Sequence, residues 1–96
     1  MITKNDILVK LREIKPSLYK DFAVTRIGLF GSFSEGLNTA ESDIDLLVEL
    51  EKPIGWKFFT LELYLQNIFG RKIDLVTKNA LKEQIRETIL KQVNFV

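Results

Sequence analysis

Two acidic residues separated by a single position, Asp43 and Asp45, begin an otherwise apolar run, D-I-D-L-L-V-E. In a β-strand such residues leave the same face, about 6.6–6.8 Å apart along the chain. Neighbouring carboxylates repel each other unless a cation lies between them, and Mg²⁺ prefers oxygen ligands of this kind. Two such ions, about 3.5–4 Å apart, can hold the attacking and leaving oxygens of a phosphoryl displacement. The pair predicts a magnesium site, and the alternative is a solvated strand end.

A second motif upstream has residue types that bind phosphate. Gly31 and Ser32 follow an apolar strand pattern that ends in L-F. Glycine lets the backbone approach a phosphate closely, and the backbone N–H groups and the Ser32 hydroxyl can donate hydrogen bonds to it. Ser32 could also cap the turn that follows. Gly31 and Gly36 have the spacing of a P-loop, but Leu37 follows where a P-loop requires Lys, so a P-loop is excluded.

A third carboxylate is expected on a neighbouring strand, and Asp74 in K-I-D-L-V-T is the acid that fits. The alternative is that Asp74 only keeps an edge strand soluble. The distribution of charge favours a cation site, because residues 31–51 contain six acidic side chains and no basic one, whereas the formal net charge of the whole chain is +1. Bound divalent cations would explain this acidic segment, and a solvated acidic loop is the other explanation.

The periodicity of the apolar residues predicts the elements that position these motifs. Strand patterns cover 24–30, 43–49 and 72–77, and helical patterns begin at Thr3 and cover 56–69 and 81–93. Pro16 is expected to end the first helix or to start a second one, and 33–40 to form a loop or a single helical turn. The order predicts an α+β domain, a small mixed sheet flanked by helices, with the 43–49 strand at an inner position.

Composition limits the chemistry further. A chain of 96 residues is expected to form a single domain over 1–96. It contains no cysteine and no histidine, which excludes disulfides, thiol catalysis, zinc–thiolate sites and an imidazole base. The N-terminus lacks the apolar run of a signal peptide and no segment has the length of a membrane span, so we expect a cytoplasmic protein.

The segment G-S-F-S-E-G-L-N-T-A-E-S-D-I-D-L-L-V resembles the signature of the DNA polymerase β-like nucleotidyltransferases, and more narrowly the minimal nucleotidyltransferases of bacteria and archaea. The resemblance implies their palm fold. It also implies that Asp43 and Asp45 bind two Mg²⁺ ions, with Mn²⁺ as a substitute, and that Asp74 completes this metal and catalytic site. Gly31 and Ser32 would bind the phosphates of ATP or another nucleoside triphosphate.

The resemblance also implies a reaction and a partner. Such an enzyme transfers a nucleoside monophosphate, here AMP from ATP, to a hydroxyl acceptor. Minimal nucleotidyltransferases are commonly paired with a helical HEPN toxin, and the resemblance implies an antitoxin that adenylylates a tyrosine of that toxin. One departure is Glu35, where many relatives have a basic residue. Glu35 favours the alternative, a catalytically idle module of this fold that binds and neutralises a partner protein.

Two surface properties bear on partners. In the 56–69 helix, Trp56, Phe59 and Leu63 fall on a different face from the residues expected in the core. Such a second apolar face indicates a protein partner or a homo-oligomer, unless the helix is sandwiched within its own fold. Direct binding to nucleic acid has little support, because the basic residues are spread along both flanks without a dense patch or an aromatic platform.

Overall fold

The secondary structure follows the predicted order of elements, with two short additions. The computed structural model describes residues 2–96. The helices are α1 (Lys4–Phe22), α2 (Gly31–Glu35), α3 (Lys57–Phe69) and α4 (Glu83–Gln92), with a 3₁₀ turn at Lys78–Ala80 before α4. The strands are β1 (Val24–Phe30), β2 (Ile44–Leu50), β3 (Ile73–Thr77) and β4 (Asn94–Phe95). The 3₁₀ turn and β4 are the elements that the sequence pattern did not predict.

The four strands form one mixed sheet in the order β3-β2-β1-β4. β1 is antiparallel to both β2 and β4, whereas β2 is parallel to β3. The predicted α+β class and inner position of β2 are therefore confirmed. Leu46, Leu47 and Val48 of β2 are all fully buried, which shows that both faces of this strand are covered.

The core lies on the face of the sheet that packs against α1 and α3. Ile7, Leu11 and Leu18 of α1 and Leu61 and Leu65 of α3 are fully buried. They pack against the inward-facing side chains of the strands, Ile27, Leu29, Ile44, Leu46, Val48, Ile73 and Leu75. Hydrophobic burial across this layer fixes the strands whose ends carry the acidic residues.

The first helix begins as predicted but does not end at Pro16. The Thr3 hydroxyl accepts a hydrogen bond from the Asp6 backbone and the Asp6 carboxylate accepts one from the Thr3 backbone, which forms a capping box. Pro16 lies inside the single helix α1, so the predicted break is wrong. Pro16 is exposed, so the backbone carbonyl that loses its hydrogen-bond donor can be hydrated. Leu11 and Leu18, which are fully buried before and after Pro16 in the chain, anchor the helix on the core.

The second apolar face of α3 is on the surface of the chain. Trp56 is 85% exposed, Phe59 58% and Leu63 59%, and the rings of Trp56 and Phe59 have their centroids 5.7 Å apart. A helix sandwiched within its own fold is therefore excluded for this chain. The expectation that a partner protein or a second copy covers this face stays a prediction. No helix in residues 2–96 is long and apolar enough to cross a membrane.

Candidate active site

The three predicted carboxylates lie near one another at the end of the sheet where β1 ends and β2 and β3 begin. We call this end, with Asp43, Asp45 and Asp74, the acidic edge. Because β1 runs antiparallel to β2, and β2 parallel to β3, the C-terminal end of β1 lies beside the starts of the other two strands. In the register, Asp45 is paired with Phe30 on one side and with Asp74 on the other. Gly31, which follows Phe30, is thereby placed against the acidic residues. Strand pairing thus brings the two motifs together.

The two members of the Asp-x-Asp motif have different surroundings. Asp43 precedes the first residue of β2, and its carboxylate lies 3.9 Å from the Lys72 ammonium, with both side chains open to solvent. Asp45 is in the strand and only partly exposed. Ile44 between them is fully buried. The alternation predicted from the sequence therefore holds, although Asp43 lies just outside the strand.

Gly31 is required by the close approach of Asp45. Its φ of +73° lies in the left-handed region that favours glycine. A Cβ added at Gly31 would overlap the Asp45 carboxylate, with the Asp45 Cγ only 2.9 Å away. A glycine at this position therefore allows the turn after β1 to lie directly against the carboxylate of β2.

Asp45 is the carboxylate whose ionisation the fold opposes. The pKa of Asp45 is raised from 3.8 to about 6, mainly by burial and then by the charge of Asp74, a hydrogen bond with Asp74 and the charge of Asp43. Burial disfavours the charged form, and neighbouring like charges add to that effect. A cation bound at Asp45 would therefore relieve its repulsion from Asp74 and from Asp43.

The donor chemistry fits a divalent cation, although the carboxylates do not form a finished cage. Three carboxylates supply only oxygen ligands, as Mg²⁺ and Mn²⁺ prefer. In the part of the chain that the structure describes, no group of three acidic residues is arranged as a ready-made metal site. One Asp43 oxygen lies 3.9 Å from the Lys72 ammonium instead.

The predicted phosphate-binding residues begin α2. Gly31 and Ser32 form its first turn, so the helical turn expected within 33–40 starts earlier and ends at Glu35. Ser32 is half-buried and Glu35 is exposed at the last position of the helix. Ser34, in the same short helix, is buried, at 9% exposed.

Arg71 is a contributor that sequence reasoning missed. Its guanidinium donates hydrogen bonds to the carbonyls of Ala40, at 3.1 Å, and Ser42, at 2.7 Å, and lies 5.3 Å from the centre of the Phe33 ring. Arg71 thereby ties the loop that leads to Asp43 to the start of β3. These contacts span about thirty residues of sequence, and no local pattern indicates them. The Ser42 hydroxyl also holds this loop, since it accepts a hydrogen bond from the Thr39 backbone at 2.8 Å.

Two surface cavities lie away from the acidic edge. One of about 290 Å³ is lined by 48–53 and 77–79, and one of about 400 Å³ by 19–23, 51–54 and Lys57. Both are at the opposite end of β2 from Asp45. Neither of these two cavities encloses the acidic residues, of which Asp74 is exposed and Asp43 and Asp45 are partly exposed.

Comparison with known proteins agrees with the motif. Residues 8–96 match the family described as nucleotidyltransferase domain. The chain is 40% identical over its whole length to the protein adenylyltransferase MntA of Thermococcus cleftensis, of which it covers 98%. It is 28% identical to a solved structure assigned as a minimal nucleotidyltransferase, with a TM-score of 0.81 over 97% of this chain and 95% of the other.

A third similarity concerns the fold alone. The structure of a tri-AMPylated HEPN toxin of Shewanella oneidensis in complex with an MNT antitoxin matches 96% of this chain and 66% of its own, at a TM-score of 0.60 and 22% identity. Taken with the family match, the fold and the acidic edge define a nucleotidyltransferase. This chain belongs to the nucleotidyltransferase domain family, as one of its minimal members similar to the MntA protein adenylyltransferases.

We predict that Gly31→Ala destabilises the protein more than Gly36→Ala does. Both glycines have nearly the same positive φ, +73° and +74°, but a Cβ at Gly36 meets no atom within 4 Å. Gly36→Ala should therefore lose only about 1 kcal/mol of unfolding free energy from the backbone conformation. Gly31→Ala should lose roughly 1–3 kcal/mol more, because it also displaces the Asp45 carboxylate. Urea unfolding measures both, and equal losses would contradict the close approach.

We predict that Asp45→Asn stabilises the metal-free protein at neutral pH. Since the pKa of Asp45 rises from 3.8 to about 6 on folding, the stabilising protonated form is fully present below 3.8 and is lost as pH rises through 6. Above pH 6 the asparagine variant should be more stable by about 1–2 kcal/mol, after allowance for solvent screening.

Urea unfolding in EDTA at pH 7.5 and at pH 3.5 measures this difference. The gain should be present at pH 7.5 and should shrink sharply at pH 3.5, where both side chains are neutral. Asp21→Asn is the control, because Asp21 is an exposed residue on α1 and its replacement should change stability little at either pH. A gain that is the same at both pH values would show that the charge of Asp45 is not its cause.

Proposed function

We propose that this nucleotidyltransferase transfers AMP from ATP to a tyrosine hydroxyl of a HEPN toxin, and so acts in the cytoplasm as the antitoxin of a pair. The observation that carries the proposal is the convergence of Asp43, Asp45 and Asp74 beside Gly31 at one sheet edge. The similarity to a protein adenylyltransferase along the whole chain supports AMP as the group transferred.

The residues have distinct proposed roles. Asp43 and Asp45 would hold two Mg²⁺ ions, for which Mn²⁺ can substitute, and Asp74 would complete this ligand set. Divalent ions bound there stabilise the charge that develops on the phosphates. The acceptor oxygen forms a bond to the α-phosphorus, the bond from that phosphorus to the bridging oxygen breaks, and pyrophosphate leaves. Asp74 would take the proton of the acceptor hydroxyl, and its exposure in the edge strand β3 supports this role.

Two features of the chain set conditions on ATP binding. Asp43 must exchange its contact with Lys72 for a cation. This exchange frees the Lys72 ammonium, an exposed cation at the acidic edge, to interact with a phosphate. Gly31 and Ser32 would contact the phosphates from the first turn of α2, while Glu35 lies exposed at the last position of that short helix.

The open site supports a protein acceptor. Asp74 is exposed and Asp43 and Asp45 are partly exposed, and neither of the two cavities at the opposite end of β2 encloses them. A large acceptor can supply its own surface to exclude water from the reacting groups. The solved complex of an AMPylated HEPN toxin with an antitoxin of the same fold supports a toxin as that acceptor.

A second candidate is a module that binds the toxin without catalysis. Glu35 favours it, because an acid on the helix that begins with Gly31 and Ser32 disfavours a triphosphate. Isothermal titration of ATP in the presence and absence of Mg²⁺ separates the two candidates. Metal-dependent binding is expected for the enzyme, and its absence would favour the idle module.

We predict that Asp43→Asn and Asp74→Asn each lower AMP transfer on the order of 100-fold or more, because each removes a charged group from the reacting site. The purified protein is mixed with the product of the neighbouring gene, which the proposal expects to be the HEPN toxin, and with α-labelled ATP and Mg²⁺, and label on that partner is measured. Asp21→Asn, an exposed aspartate on α1, should transfer at the wild-type rate.

Three outcomes would contradict the proposal. The first is the absence of label on the toxin with the wild-type protein. The second is label that survives Asp43→Asn, and the third is label that persists after every toxin tyrosine is changed to phenylalanine. The last outcome would leave AMP transfer intact and exclude only tyrosine as the acceptor.

A further inference from the structure

The segment after α4 returns to the sheet and closes the outer edge of β1. Asn94 and Phe95 pair with Leu29 and Gly28 as the short strand β4. A Cβ at Gly28 would lie 2.6 Å from Val93 Cγ2 and 3.0 Å from Phe95 Cδ1, so a glycine is needed for this approach. The edge of β1 is therefore shaped to receive the segment 92–96.

Two cations fasten this segment to the rest of the fold. The Arg26 guanidinium lies 3.7 Å from the centre of the Phe95 ring, and the Lys15 ammonium donates a hydrogen bond of 2.7 Å to the carbonyl of Val96. A guanidinium at this distance from an aromatic ring is attracted to its face. Side chains of β1 and of α1 thus hold this segment in place.

The same segment holds the turn that begins with Gly31 and Ser32. The Ser34 hydroxyl donates a hydrogen bond of 2.9 Å to the carbonyl of Gln92 and accepts one from the side-chain amide of Asn94. The Lys4 ammonium donates to the Ser34 carbonyl at 3.0 Å. Ser34 is the buried polar residue of the described chain. Its hydrogen bonds are directional and therefore fix the orientation of α2.

Such an anchor is needed because α2 has only five residues. An isolated helix of this length is not stable in water. Phe33 also anchors it, since that side chain is buried in the core, but apolar burial is non-directional and does not by itself fix rotation of the turn. After Glu35 the chain continues into the exposed Gly36 and Leu37.

We infer that Ser34 and Asn94 are positioning residues, which hold α2 in the conformation that binds the phosphates of the nucleotide. This inference rests on the proposed function in one respect, that Gly31 and Ser32 contact those phosphates. Ser34 and Asn94 act through the backbone of α2. Without their hydrogen bonds, binding of the nucleotide must also order the turn, so affinity falls while the chemical step stays nearly unchanged.

Hydrogen exchange without nucleotide tests the anchor directly. In Ser34→Ala, the backbone amides of 31–36 should exchange roughly 10-fold faster than in the wild type, as expected for loss of one or two hydrogen bonds. Thr25→Ala is the matched control. It also removes a hydrogen bond of 2.9 Å from a hydroxyl to a backbone carbonyl, that of Glu49, but near the start of β1. Exchange of 31–36 should be unchanged in this control.

The kinetics of AMP transfer test the functional consequence. Ser34→Ala should raise the KM for ATP roughly 10-fold and change kcat by less than about 3-fold, and Asn94→Ala should act in the same direction with a smaller effect. Thr25→Ala should change neither constant. If Ser34→Ala does not fold, Asn94→Ala decides, because it leaves the bond from Ser34 to Gln92 in place.

The inference is overturned if exchange of 31–36 is unchanged in both variants, or if kcat falls while KM stays constant. Failure of the proposed function is a separate result. A wild-type protein that transfers no AMP would refute AMP transfer, whereas hydrogen exchange in the same samples would still decide whether Ser34 and Asn94 hold the turn.

Discussion

The close approach of the Asp45 carboxylate to the backbone of Gly31 is the constraint on which the site depends. The approach needs a glycine at the end of β1, and it needs the β1–β2–β3 register that places Asp74 beside Asp45. It also opposes folding, because burial and like charges raise the pKa of Asp45 to about 6. The fully buried side chains of Leu46, Leu47 and Val48 continue the same strand and supply stability that offsets this repulsion.

The sequence predicted the parts of this arrangement that local patterns encode. The three longer strands, the start of the first helix at Thr3 and the end of α3 at Phe69 follow from short-range preferences. The break expected at Pro16 was wrong, because the helix continues through this residue. Pro16 faces solvent, and which side of a helix faces solvent depends on how the helix packs in the fold. The convergence of Asp74 with Asp45 was expected from its strand pattern, and the parallel register of β2 and β3 supplies it.

Other contributors to the site could not be predicted from the sequence. Arg71 reaches carbonyls about thirty residues away, and Ser34 reaches Gln92 across 58 positions. Such contacts depend on how the elements pack, and neither residue belongs to a periodic pattern. The strand β4 is only two residues long, too short for any alternation to indicate it. The need for glycine at position 28 could not be predicted either, because it depends on the side chains of Val93 and Phe95.

The position of the acidic residues at an open edge determines what the chain needs from outside. Three carboxylates, two of them within the acidic segment 31–51, attract cations and repel a bare triphosphate, so the proposed function requires the nucleotide to bind together with metal. The chain itself offers Lys72 at this edge, in contact with Asp43. One exposed ammonium cannot balance the charge of a triphosphate, and an open edge cannot exclude water. Under the proposed function, the acceptor supplies the surface that closes the site, and a protein is large enough to do so.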